Sequence, residues 1–154
     1  MSNHFELTDE TINHEGRTLY RIRATRDLPE HNVLQGDLGG FVEGTDNLSH
    51  NAWVADMAKV YGNAHVTDNA RVYDNARVFG YARVSGNARV FGNARVYDDA
   101  WVYGNAWVYE GAYVSGSAWV SGDANVFGNA WVSGNARVSG DARVFDEMSV
   151  IGTD

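Results

Sequence analysis

The segment Gly92-Asn93-Ala94-Arg95-Val96 decides how this chain folds, because it returns as Gly62-Asn63-Ala64-His65-Val66 and as Gly134-Asn135-Ala136-Arg137-Val138 with at most one position changed. Outward from it, valine stands at every sixth position from Val42 to Val150, with Leu48 as the one substitute. Two residues before, each such position from Ala52 to Ala142 is alanine. Within a hexad the order is Ala, polar or aromatic, Val, aromatic or Ser, and this alternation is the period-2 signature of a short strand with one buried face. The two remaining residues, Gly or Asp and then mostly Asn or Asp, suit a corner: Gly tolerates positive φ, and Asx side chains bond nearby backbone. A helix would need apolar residues at i, i+3 and i+4, and a Gly-Asn step in each hexad would break it repeatedly.

A four-residue strand that ends in a corner cannot pair with its immediate successor as a hairpin and keep all valines on one side. It pairs instead with the equivalent strand one full coil later, which predicts a parallel solenoid rising about 4.8 Å per coil. The six-residue period alone leaves open how many hexads close a coil. The pattern of small residue, any, aliphatic, any and a two-residue corner resembles the hexapeptide repeat of left-handed parallel β-helices. That resemblance implies three hexads per triangular coil, left-handed winding and about six coils between Val42 and Val150. The fold class expected is therefore all-β: a left-handed parallel β-helix of hexapeptide repeats with an N-terminal β-hairpin cap.

The ends depart from the repeat. Residues 1–40 are expected to form the cap and residues 41–154 the β-helix. Thr11-Ile12-Asn13-His14 and Thr18-Leu19-Tyr20-Arg21-Ile22-Arg23, with Glu15-Gly16-Arg17 between them, read as a hairpin. Leu28-Pro29 and Gly36-Asp37-Leu38-Gly39-Gly40 read as loops leading to Phe41-Val42. The stretch from Tyr20 to Leu28 together with Gly39-Gly40-Phe41-Val42 resembles the opening of the YdcK-like group of hexapeptide-repeat proteins of bacteria and phages. The transferase label of that group is drawn from the fold and says little about chemistry. At the other end Met148 takes an alanine position and Ile151 an outward one. They are expected to plug the last coil, with pairing to another copy as the alternative.

Composition narrows the function. Among 154 residues there are 17 Gly, one Pro and no Cys, so neither a disulfide framework nor a thiolate metal site or nucleophile is available. The net charge of −8 opposes non-specific binding to a nucleic acid polymer, which requires a dense positive field. Met1 to Glu10 hold no apolar signal-peptide core, and no stretch approaches the ~20 apolar residues of a spanning helix. A protein with no membrane partner and a cytoplasmic location is expected.

With three hexads per coil, residues eighteen apart become vertical neighbours. One face then carries Tyr73, Phe91, Tyr109, Phe127 and Phe145 in a ladder, beside a row of Trp53, Arg71, Arg89, Trp107 and Arg143. A second holds Tyr61, Phe79 and Tyr97 beside Arg77, Arg95, Tyr113 and Trp131, and a third holds Arg83, Trp101, Tyr103, Trp119 and Arg137. Three readings of these rows stand together. Stacked rings and arginines lying over them stabilise neighbouring coils. A continuous outward aromatic strip exceeds what monomers commonly expose, which points to a homo-oligomer, trimer or dimer, or to a protein partner. Arginine beside an aromatic ring suits an anionic, planar small molecule such as a nucleotide. The candidate binding residues are Arg71, Tyr73, Arg89, Phe91, Trp107, Tyr109, Phe127 and Phe145.

Catalysis has little to rest on. Hexapeptide acyltransferases resemble this pattern and use a histidine with projecting loops, yet the register here runs unbroken from Val42 to Val150. Only His50 and His65 lie in the repeats, and His65 reads as a solvated residue in an arginine position. Two histidines do not supply a three-histidine metal site. Carboxylates such as Asp98, Asp99 and Asp123 read as turn residues, and the Thr ladder of an ice-binding face is absent. No cofactor and no catalytic residue is expected. The first hypothesis is a non-enzymatic structural or interaction module, the second a binder of an anionic small molecule, and the third an acyltransferase-like enzyme completed by a second subunit.

Overall fold

A computed structural model describes residues 3–152; residues 1–2 and 153–154, the extremities of the predicted cap and helix segments, lie outside that range. The described chain is all-β, a parallel β-solenoid of about six coils with a hairpin at its N-terminal end. Strand β1 (Phe5–His14) and strand β2 (Arg17–Ala24) form the hairpin, longer than the sequence signals indicate, and Glu15 and Gly16 both turn at positive φ. Strand β3 (Leu38–Val42) lies antiparallel to β2 and parallel to Lys59–Val60, so cap and coils share one sheet.

From Trp53 onward each hexad contributes a short strand centred on its outward residue and valine. These strands stack in three sheets of nine, six and five members, in which strict pairs such as Arg71 with Arg89 and Val72 with Val90 join residues eighteen apart. Three hexads therefore close one coil. The ladder bonds repeat with it: Arg71 N–H donates to the Ala88 carbonyl and Arg89 N–H to the Ala106 carbonyl, at 3.0 Å each. Interior alanines and valines are sealed, from Ala52 through Val132 almost all at zero exposure. Ala is small enough to let the chain turn toward the next side, and Val fills the space between; each buried Val contributes on the order of 1.5–3 kcal/mol before ordering entropy is subtracted.

The corners differ in one respect from the sequence reading. The first corner residue, whether Gly92 or Asp74, takes the left-handed conformation, with φ +66° and +59° respectively. The aspartates bond not to their own turn but to the coil above: Asp74 Oδ2 accepts from Gly92 N–H at 3.1 Å, Asp68 Oδ2 from Gly86 N–H and Asp98 Oδ2 from Gly116 N–H at 3.0 Å. A corner aspartate is thus a staple between coils. We expect Asp74→Ala to lower stability by about 1–2 kcal/mol in urea unfolding, because it loses the bond to the next coil while the Cβ already in the left-handed region stays, now without that compensation. Asp74→Gly, which relieves the backbone cost, should fall well short of that loss.

The cap covers the open N-terminal end. Its glycines are dictated by packing: a Cβ on Gly39 would collide with the Val54 carbonyl and the Trp53 indole. Trp53 and Tyr61, expected on outer faces, are buried at 1% and 3% exposure, Trp53 in the main core and Tyr61 with Leu19 and Phe41. Two carbonyls of the open edge are met by side chains: His4 Nε2 donates to Ala52 O at 2.7 Å and Asn47 Nδ2 to Ala64 O at 2.9 Å. His31 Nε2 donates to the corner carbonyl of Asn51 at 2.7 Å.

The C-terminal end corrects an expectation. Met148 is 47% and Ile151 66% exposed, Ala142 is exposed and Val150 half-buried, so these residues do not plug the last coil. Ser149–Gly152 extends the sheet beyond Trp131–Gly134 as an ordinary rung, and the strands of the last coil end all three sheets with no described strand beyond them. The physical reason is register: the repeat continues to Val150, so the bulky side chains follow the coil instead of folding across it.

Candidate binding face

The six-stranded sheet brings all eight predicted residues together. Trp53, Arg71, Arg89, Trp107, Asn125 and Arg143 are in register along it, and the residue two positions after each of the last five belongs to the ladder. Tyr73 stacks on Phe91 and Phe91 on Tyr109 at 4.8 Å between centroids with planes 3° apart. Tyr109 stacks on Phe127 at 5.0 Å and Phe127 on Phe145 at 5.5 Å, where the planes open to 15°. The centroid spacing is that of the coils, so parallel stacking follows from the solenoid without any adjustment of the backbone. The ladder rings are half-buried, because each inner ring has both faces covered by its neighbours and shows mainly its edge. The Tyr109 hydroxyl is held above its ordinary pKa, first by burial and then by Glu110.

Trp107 is the most exposed of the eight at 39%, and it stands edge-on to Phe91 at 5.7 Å and to Tyr109 at 6.3 Å. The Arg89 guanidinium lies 5.5 Å from the Trp107 ring and that of Arg71 5.1 Å from the Tyr73 ring. Arg71 reaches the cap, its Nη2 donating to His31 O at 3.3 Å, while its Nε is buried with no hydrogen-bond partner. The ion pairs among the described residues use His14, Arg17, Arg21, Arg23 and His50, and none uses an arginine of the coils. Sequence reasoning missed the part played by His31 in this face. Its signal was slight, a Pro-Glu-His turn over residues 29–31 in a non-repeating segment.

The other two faces carry shorter ladders. Tyr61, Phe79 and Tyr97 stack at 5.1 Å per step, and Tyr113 stacks on Trp131 at 5.3 Å. On the third face Trp101 meets Trp119 edge-on at 5.4 Å, and Arg137 lies 4.4 Å from the Trp119 ring.

His65 is not the freely solvated substitute that its repeat position suggests. The Asp46 carbonyl can only accept, so His65 donates to it from Nδ1 at 2.7 Å, and its Nε2 hydrogen-bonds with Ser49 Oγ at 2.8 Å. Ser49 Oγ in turn contacts Thr67 Oγ1 at 2.9 Å, and Thr67 Oγ1 contacts His50 Nδ1 at 2.8 Å. The chain of bonds ties the loop after Val42 to the second coil. Among the described residues no group of three or more His, Cys, Asp or Glu is arranged to hold a metal, and no helix is long and apolar enough to cross a membrane.

Residues 70–86, 82–97, 88–104 and 94–110 each match the family model of the YdcK β-solenoid repeat. Over residues 70–110 the chain carries YdcK-like β-solenoid repeats. The matched segments hold Arg71, Tyr73, Arg89, Phe91, Trp107 and Tyr109 of the candidate face. No curated protein matches the sequence. The cap, the coil before residue 70 and the coils after residue 110 lie outside the matched residues.

Proposed function

We propose that this YdcK-like solenoid is a structural or interaction module with no chemistry of its own, and that it associates with further copies of itself, as a dimer or trimer, through the face built on Tyr73, Phe91, Tyr109, Phe127 and Phe145. The same reading takes the coil as left-handed, as its hexapeptide pattern implies. The observation that carries the proposal is the unbroken ring ladder over five coils. Ring edges offer a large rigid contact area at small entropic cost, and aromatic residues are enriched in the buried centres of interfaces. A straight, stiff face also presents its contacts pre-organised, which lowers the cost of association.

Sedimentation velocity tests the proposal. The wild type is expected to run as an oligomer, the Phe91→Ser, Tyr109→Ser double variant as a monomer, and a Phe79→Ser, Tyr97→Ser variant of the second face as the wild-type oligomer. The control matters because each double change removes two stacked rings and the stability that goes with them. A monomeric wild type, or an unchanged mass in the first variant, removes the ladder as an interface.

A further inference from the structure

The Pro29–His31 turn overhangs the arginine row and leaves a cleft of about 380 Å³ between cap and coils. That volume lies within the range of small-molecule sites. Arg71 and Arg89 line its floor and are direct neighbours in the sheet, so two positive charges face each other one coil apart. Like charges directly opposite on a sheet destabilise it. Neither forms an ion pair among the described residues, although the chain carries 20 acidic residues. The buried Arg71 Nε has no partner, which leaves the cost of its desolvation unrecovered. An oxyanion seated between the two guanidinium groups would remove both penalties with short, charge-assisted bonds.

We propose that this cleft binds a small aromatic phosphate monoester of nucleoside-monophosphate size, its phosphate between Arg71 and Arg89 and its planar ring against Trp107. Trp107 is the next residue of the same row above Arg89 and lines the cleft with its exposed indole. Stacking on an indole accepts any planar ring. Asn69 and Asn87 stand on the rim with carboxamides able to donate to and accept from ring substituents. Glu30, also on the rim, opposes additional phosphates and limits the ligand to one.

The test is thermal unfolding of the full chain with millimolar adenosine monophosphate, inorganic phosphate or adenosine. Adenosine monophosphate should raise the midpoint, inorganic phosphate should raise it less, and adenosine should leave it unchanged. Arg89→Gln should abolish the shift, with Arg71→Gln as the second variant if the first does not fold. Trp107→Ala should weaken the nucleotide by about tenfold and leave phosphate as before. Arg95→Gln, which changes the stacked pair Arg77 and Arg95 on another sheet, should respond like the wild type. No shift with adenosine monophosphate, an equal shift with phosphate, or a shift that persists in both cleft variants overturns the proposal. So does a shift lost equally in Arg95→Gln.

Discussion

Ala94→Leu should lower the unfolding free energy by about 1–3 kcal/mol or more, whereas Ala142→Leu, the same change at the same repeat position, should stay within about 0.5 kcal/mol. Ala76, Ala94 and Ala112 form one interior column, eighteen residues apart, and each has zero exposure. A leucine inserted there meets the alanine of the coil below, that of the coil above and the valines across a narrow interior, with no adjacent void. The three sheets share ladder bonds on every side, so the backbone cannot widen one coil without straining its neighbours. Ala142 belongs to the last coil, is solvent-exposed, and has no described strand above it. Extra methylene groups at that site project into water. Urea denaturation of both variants gives the comparison, and a similar loss at the two positions would mean that the alanine rule reflects chain curvature and not interior volume.

The contrast also marks where the sequence is legible. From Ala70 to Val132 each hexad has the same surroundings, so position in the repeat predicts burial, and residues eighteen apart predict the Tyr73 to Phe145 ladder. Periodicity carries this information because identical neighbours above and below make the environment periodic too. It fails at both ends for the same reason. Trp53 sits in an outward position, yet strand β3 of the cap sheet closes over it at Gly39; nothing in its own hexad announces that cover. The direction of the corner aspartates is hidden as well, since Asp74 has equivalent partners in its own turn and in the coil above until the coils are stacked. His31 was the least readable residue of the cleft. Its bond to the Asn51 carbonyl spans twenty positions of irregular chain, and side-chain to backbone contacts of that kind have no period to reveal them.

His4→Leu and His31→Leu should each cost about 1–3 kcal/mol, because each leaves a first-coil carbonyl without its donor under the cap. The Ala52 carbonyl lies on the edge that a further coil would otherwise pair, the Asn51 carbonyl belongs to the corner just before it, and both histidines are buried at 5% exposure or less. Burial is the main cause that holds the pKa of each below the ordinary histidine value; Arg26 adds to it at His4, and Arg71 and Arg89 add to it at His31. The sign of the pH dependence follows. With the folded-state pKa below the unfolded one, the unfolded chain binds more protons as pH falls through about 6.5, so the stability these residues contribute is complete above that pH and is lost toward the folded-state pKa values. The thermal midpoint of the wild type should therefore drop between pH 7.5 and pH 5, and hydrogen exchange should show β1 and β2 opening before the central coils. In the His4→Gln, His31→Gln double variant the amides still donate to the two carbonyls but do not titrate. Its midpoint should vary less over the same range, and a drop as large as that of the wild type would assign the acid sensitivity to carboxylates elsewhere.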